Sequence, residues 1–341
     1  MGFTRKNSQA PAWLDSEGKP VQLKSSISWL QSFLDGKTFE RVTTRPVLVP
    51  NKTDPSEAKY TLNPAAIKLK SEILLPGNLR VKDVLVQIYR ADAEGDVSTL
   101  KIATSKDGIT WTKHGQALPN PSEMIQYEDP RITIMSDDGR IIMLSTRADK
   151  EKHIASIDIN ELVDGKFIYR CTVNKEKDED SDKDGVLFPE KINGRYALLR
   201  RPWPYIKIAY ADSLNGPWDL DQTILMAPRR DMLDNGWIGG GSVPIPTDLG
   251  WFMVYHGVEY HGIPENKIYR IFGALLDKEN PGDPSKVLRS SMPLLEPKLQ
   301  WEKKGGPVPN VIFDCNAVEV GSELWTWYSG ADWKIGLAKR D

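Results

Sequence analysis

A strand–turn–strand unit recurs along this chain, and each copy runs into a matching alanine. One copy reads VLVQIYRADAEGDVSTLKIATSKDGITW and ends at Trp111. Its pattern is strand, turn, strand, then Ala-x-Ser-x-Asp-Gly and an aromatic residue. Comparable segments read PRITIMSDDGRIIMLSTRADKEKHIASIDINEL, LFPEKINGRYALLRRPWPYIKIAYADSLNGPW, PIPTDLGWFMVYHGVEYHGIPENKIYRIFGALLD and NVIFDCNAVEVGSELWTWYSGADWKIGLAKRD. The matching alanines are Ala103, Ala155, Ala209, Ala274 and Ala338. Their spacing, roughly 50 to 65 residues, is that of a four-stranded propeller blade with its loops. The expected fold is all-β, a five-bladed β-propeller. Loops of successive blades converge on one mouth of the channel, so functional residues should be scattered over the whole chain.

Local signals agree. Asn193-Gly194 and Asp138-Gly139 each precede a short apolar run, as hairpin turns do. Gly250 precedes the aromatic and β-branched run WFMVYHG. One stretch breaks the pattern. In SSISWLQSFLDG, Ile27, Leu30 and Leu34 share a helical face and Gly36 can end the helix. Residues 25–35 are therefore expected to form a helix outside the propeller. This divides the chain into an N-terminal helical extension, 1–45, and a catalytic propeller, 46–341. Most of the charged stretch from Asn174 to Gly185 reads as an exposed loop.

Charge and length narrow the function. The chain has 341 residues and a formal net charge of −2, which offers no electrostatic case for nucleic acid or an anionic membrane. No apolar run approaches the roughly 18 to 20 residues needed to span a bilayer. The polar start, MGFTRKNSQAPAWLDSEGKP, has no apolar core of a secretory signal, and Lys6 spoils a myristoylation pattern. The expected location is cytoplasmic. Cys171 and Cys315 lie outside any CxxC pattern and read as thiols. His256 and His261 lack an HExxH context, so no metal is expected. The 11 tryptophans are numerous. Each is best read as core, although flat aromatic faces also suit sugar rings.

Six segments can carry chemistry. In Tyr127-Glu128-Asp129-Pro130-Arg131, Pro130 biases Asp129 towards an extended conformation just before a strand. Asp129 is then either a general acid at the channel mouth or a turn aspartate paired with Arg131. Lys183-Asp184-Gly185, followed by Val186-Leu187-Phe188-Pro189-Glu190-Lys191, mixes donors and acceptors suited to sugar hydroxyls, or to an ion pair at a blade edge. Arg200-Arg201-Pro202 offers two arginines for an oxyanion. On a strand they face opposite ways, one towards the site and one towards the surface. The glycines of Ile238-Gly239-Gly240-Gly241-Ser242 allow a close backbone approach to a ligand, but lack the Lys-Ser/Thr of a phosphate loop. His256, in Tyr255-His256-Gly257-Val258, ends a strand. Asp332 follows Gly330-Ala331 and neighbours Trp333.

Taken in order, these segments resemble glycoside hydrolase family 130, the β-mannoside phosphorylases and mannosidases. The resemblance runs from about Asn63 to the C-terminus. It is carried by Asn63-Pro64-Ala65, Tyr89-Arg90, Glu128-Asp129-Pro130-Arg131, Lys183-Asp184-Gly185 with Leu187-Phe188-Pro189-Glu190-Lys191, Gly250-Trp251 with Tyr255-His256-Gly257-Val258, Gly273-Ala274-Leu275-Leu276-Asp277 and Gly330-Ala331-Asp332. The resemblance implies a five-bladed propeller and an inverting mechanism with Asp129 as acid. The proton would reach the glycosidic oxygen through a mannose hydroxyl, and phosphate would attack the anomeric carbon from the other face. Asn63, Lys183, Asp184 and Asp332 would hold the mannose ring, with Arg131, Trp237 and Tyr255 as further substrate contacts. Arg90, Arg200, Arg201 and His256 would bind phosphate.

Three departures bear on that phosphate site. Trp237 stands where the phosphorylases usually have lysine, which removes a cation; Arg200 replaces the histidine of a His-Arg-Pro motif, which makes the charge permanent; and a further phosphate-binding arginine has no obvious counterpart. The expected activity is phosphorolysis of a β-mannoside oligosaccharide to α-mannose 1-phosphate, with inorganic phosphate as co-substrate and no other cofactor. The alternatives are a β-1,2-mannosidase using water, a β-mannosyltransferase, or a non-catalytic mannoside-binding propeller. A hydrolase needs a second carboxylate, for which Glu259 and, less well, Glu190 are available. A homo-oligomer is compatible with all of these.

Overall fold

The computed structural model describes residues 11–95, 97–173 and 181–341. The readings made on residues 1–10 and 174–180 fall outside the described residues. The rest of the charged stretch is no loop, because Asp182–Leu187 is a strand with Asp182 and Asp184 buried.

Among the described residues, five sheets of four or more strands follow one another, with a separate two-stranded hairpin. Sheet I comprises Tyr60–Leu69, Val84–Asp92, Ser98–Ser105 and Thr112–Leu118. Sheet II comprises Ile125–Ile134, Ile141–Asp149, Ile154–Val163 and Lys166–Thr172. Sheet III comprises Asp182–Leu187, Tyr196–Pro202, Ile206–Ala211 and Asp219–Met226. Sheet IV is built on Ile238–Gly240, Gly250–Glu259, Ile268–Leu276 and Leu288–Ser290. Sheet V is built on Ile312–Asp314, Glu323–Gly330 and Lys334–Arg340. The five repeat alanines all fall on the third strand of their sheets, the position that defined the repeat.

Side-chain alternation explains how the sheets stack. In Ile141–Leu144, successive residues point to opposite faces. Ile141 and Met143 join a core shared with Ile88 and Ile102 of sheet I, while Ile142 and Leu144 join one shared with Leu187 and Leu198 of sheet III. Further cores lie between sheets III and IV, around Leu199 and Met253, and between IV and V, around Val254 and Tyr328. A fifth joins sheet V back to sheet I through Trp327, Leu337, Tyr89 and Ala103. The circuit of cores gives a propeller-like arrangement. Truncating any of these large buried side chains to alanine costs about 2–5 kcal/mol.

Residues before 46 contribute more than a helix. Glu40–Arg41 pairs with Lys339 and Ala338, so an N-terminal strand completes sheet V beside the chain's last strand. Trp13–Leu14 pairs with Ser290 and Arg289 and extends sheet IV. The helix forms as Ser28–Leu34, inside the expected range. Its buried residues are Trp29, Leu30 and Phe33, which enter the core between sheets IV and V; Ile27 and Leu34 pack at its margin. No helix among the described residues is long and apolar enough to cross a membrane.

Candidate active site

The first strand of sheet II packs against the first strands of sheets I and III, and each of the three contains the same irregularity. Pairing register slips between Leu62 and Ala65, between Glu128 and Arg131, and between Lys183 and Val186. Within each slip one residue is left-handed: Asn63 at φ 47°, Asp129 at φ 47° and Asp184 at φ 52°. Asn and Asp tolerate this conformation better than other residues with a Cβ, and a bulge re-aims a side chain out of the strand's alternation. The extended conformation expected of Asp129 before Pro130 is therefore corrected. The extra residue in the strand pair overrides the local bias.

The re-aimed side chains meet. Asn63 Nδ2 donates to Asp129 Oδ1 at 2.7 Å. Arg90 Nη1 lies 3.6 Å from Asp129 Oδ1 and 3.1 Å from Glu128 Oε2. Lys183 Nζ lies 3.6 Å from Asp129 Oδ2 and 3.8 Å from Glu128 Oε2. Arg131 supports the bulge from below. It donates to the Asp129 carbonyl at 2.8 Å and to the Gly240 carbonyl at 2.7 Å, and its Nη2 is 3.3 Å from Asp184 Oδ1. Asp184 also faces Arg201 Nε at 3.0 Å and His256 Nε2 at 3.5 Å. A turn pairing of Asp129 with Arg131 is thus replaced by a backbone contact, and the Arg131 charge goes to Asp184.

The electrostatics follow from this geometry. Burial pushes the Asp129 carboxyl up, but Lys183 and Arg90, with Arg131 behind them, outweigh burial and Asp184 and hold it below its ordinary value. Burial likewise opposes ionisation of Asp184, yet Arg201, Arg131, His256 and Lys183 keep it ionised. Burial lowers His256 to about 3 against the pull of Asp184, so the imidazole is neutral at neutral pH. Asp332 is left-handed, at φ 54°, in the turn after Gly330. Burial, then the charge of Asp129, raises it to about 7, with Arg90 opposing.

Five expected residues have other partners than this cluster. Arg200 does turn away from Arg201, but to a buried Asp182, to which it donates at 2.8 Å, and not to the surface. Tyr255 occupies the face of its strand opposite His256. It is fully buried, donates to Asp234 at 2.9 Å and accepts from Arg289 at 3.0 Å. Glu190 is exposed, beyond the far end of the Asp182–Leu187 strand. Glu259 stands at a strand end, bound to Arg270 at 2.7 Å and to His261 at 3.0 Å. Burial raises its carboxyl, but those two partners hold it below its usual value. Trp237 precedes the Ile238–Gly240 strand with its ring centroid 5.7 Å from Tyr260 and 5.8 Å from Tyr269.

The glycine run has a specific use. A Cβ on Gly239 would lie 2.6 Å from Asp184 Oδ2, and one on Gly241 would lie 2.8 Å from Asp314 Oδ1. These glycines make room for buried carboxylates of the protein and leave backbone carbonyls for Arg131. Asp314 was not singled out in the sequence, although it occupies the first strand of its repeat as Asp129 and Asp184 do. Burial raises it to about 7, against Arg131. Tyr269 was also missed; its ring meets Trp237 edge-on and lies tilted 6.4 Å from the His256 ring. Among the described residues, no group of three or more His, Cys, Asp and Glu could hold a metal ion.

The arrangement places two cations, Arg90 and Lys183, beside a buried carboxyl, Asp129. A family profile described as beta-1,4-mannooligosaccharide phosphorylase matches residues 35–341. The 1,2-beta-oligomannan phosphorylase of Thermoanaerobacter sp. (strain X514) is 34% identical over 315 residues, covering 88% of this chain and 96% of that protein. The beta-1,2-mannobiose phosphorylase of the same organism is 34% identical over 307 residues, covering 87% and 95%. Among solved structures, one from a study of hydrolases in the same family, which target beta-1,2 mannosidic linkages in Candida mannan, superposes with a TM-score of 0.75. It is 22% identical and the match covers 89% of this chain and 93% of that one. The beta-1,2-mannobiose phosphorylase from Listeria innocua, in complex with beta-1,2-mannobiose, gives 0.67 at 23% identity, covering 89% and 96%. These last two likenesses speak to the fold. From the matching profile and the two Thermoanaerobacter relatives, this chain belongs to glycoside hydrolase family 130.

Proposed function

We propose that the chain cleaves β-mannosides by phosphorolysis with inversion, releasing α-mannose 1-phosphate, and that Asp129 is its general acid. The observation that carries this reading is the charge pattern at the three bulges. One buried carboxyl, Asp129, is oriented by Asn63 and flanked by Arg90 and Lys183. A bound phosphate would draw on such cations, and its charge would favour the protonated form of Asp129. Phosphate brings its own negative charge to the anomeric carbon, so one catalytic carboxyl suffices. The proton leaves Asp129 for the glycosidic oxygen by way of a mannose hydroxyl, the C1–O bond breaks, and a phosphate oxygen bonds to C1 from the opposite face.

In this reading Asn63, Lys183, Asp184 and Asp332 hold the mannose, while Arg90, Arg201 and neutral His256 receive phosphate. Arg131 keeps the Asp129 bulge and Asp184 in place. Arg200 and Tyr255 brace the strands that carry their neighbours, and Trp237 with Tyr269 walls the sugar. The five sheets are the blades of a five-bladed propeller over residues 46–341, with 1–45 as an extension that lends a closing strand. Inorganic phosphate is the sole co-substrate. A cytoplasmic location suits a phosphorylated sugar product.

One observation favours water as the nucleophile. Trp237 is uncharged, and Arg200 is already spent on Asp182, so two positions expected to bind phosphate contribute no cation. Glu259, held by Arg270 and His261, is poorly placed to activate water in compensation. The rate of β-1,2-mannobiose consumption should rise and saturate with inorganic phosphate. A rate indifferent to phosphate would assign the enzyme to hydrolysis.

A further inference from the structure

A general acid must hold a proton when the reaction starts, yet Asp129 sits where protonation is opposed. Lys183 and Arg90 face its two oxygens at 3.6 Å each, and Arg131 lies behind. The other titratable groups that act on it are Asp184, Asp332, neutral His256 and the Cys315 thiol, which burial pushes up. Asn63 adds a hydrogen bond to Oδ1. Its amide also favours the carboxylate.

Glu128 changes this balance. Its Oε2 contacts the same two cations, at 3.1 Å from Arg90 Nη1 and 3.8 Å from Lys183 Nζ. Arg90 is thus nearer to Glu128 than to Asp129. Consecutive residues of a regular strand point to opposite faces and could not share two partners. Here the register slips directly after Glu128, and the left-handed Asp129 turns its side chain back towards that of its neighbour. The bulge therefore does two things: it aims the acid, and it places a second carboxylate beside it on the same cations. Asp92 and Ser98 anchor Arg90 from the far side, at 3.0 and 3.1 Å from its Nε, so the guanidinium cannot simply follow Asp129.

We propose that Glu128 is a positioning residue that controls the proton on Asp129, by competing with it for Arg90 and Lys183. The proposal rests on the reading of Asp129 as the acid. Its negative charge raises the proton affinity of Asp129, and its hold on Arg90 must be loosened when phosphate binds there. Glu128 thereby trades phosphate affinity for a protonated acid.

The test uses the full chain with Glu128→Gln, which keeps the shape and removes the charge, and Glu128→Asp, which keeps the charge. In Glu128→Gln the high-pH limb of kcat should move down by roughly one pH unit, because the acid loses its proton earlier. The KM for phosphate should fall at the same time. Glu128→Asp should leave the limb near its original position. Carbon-13 labelling of aspartate carboxyls, in enzyme saturated with mannose and inorganic phosphate, reads the proton directly. The Asp129 signal is assigned by its loss in Asp129→Asn, and its midpoint should fall in Glu128→Gln. An unmoved or raised midpoint overturns the proposal, as does a higher phosphate KM with an unmoved limb, which would mean that Glu128 only props Arg90. An Asp129→Asn enzyme that still turns over sinks the acid reading; the carbon midpoint then still decides whether Glu128 controls that proton.

Discussion

Asp129 combines features that rarely coincide at one residue: burial, a left-handed backbone, a hydrogen bond from Asn63 and two flanking cations. Asp129→Asn should lower turnover by about 10²–10⁴-fold while mannoside binding, measured by calorimetry, persists. Near-normal turnover would remove Asp129 from the acid role. Part of the cluster was legible in the residues themselves, Asp129 through its Pro130 and Asp184 through the mixed charges around it, whereas Asn63 came only through the family resemblance. The places of Arg200 and Tyr255 were not legible, for a shared reason. Strand alternation sent Arg200 to the surface, and Tyr255 was expected at the substrate, but in stacked sheets the other face of a strand is also buried. There Arg200 finds Asp182 and Tyr255 finds Asp234. Asp314 escaped notice because no distinctive neighbours flag it, although aligning the repeats on their first strands would have found it.

At the scale of single strands, the decisive feature is the bulge, which belongs to a pair of strands and is invisible in either one alone. Three first strands carry it at equivalent places, and that repetition is what brings residues more than sixty positions apart into contact. The short strand Ile238–Gly240 and the following Gly241 play the complementary part, since their missing side chains admit Asp184 and Asp314. The glycine run was read as room for a ligand, and the room is taken by the protein's own carboxylates. Gly239→Ala should therefore displace Asp184 or His256. The expected loss is about 1–3 kcal/mol in chemical denaturation and about a hundredfold in kcat, the cost of misplacing a binding group by an ångström. Unchanged kinetics would show that Asp184 can move without consequence.

Over the whole molecule, five cores close a circuit, and the N-terminal strand Glu40–Arg41 joins the last sheet beside the C-terminal strand. The repeat spacing made the sheets legible. The closing strand was not, because two residues carry no periodicity and their partner lies at the other end of the chain. Arg41 secures that junction. It donates to both oxygens of the fully buried Glu302, at 2.7 Å each, and Tyr328 donates to the same carboxylate. Arg41→Ala strands the Glu302 charge and should cost about 3–5 kcal/mol in urea unfolding. A loss under 1 kcal/mol would mean that water replaces the guanidinium. In the proposed reading the sheets hold residues around one sugar, so the decisive test is chemical. The most direct measurement is the NMR spectrum of the first product formed from β-1,2-mannobiose and inorganic phosphate. Inverting phosphorolysis predicts α-mannose 1-phosphate appearing with one equivalent of mannose. Free mannose alone, or a β-configured phosphate, would contradict it.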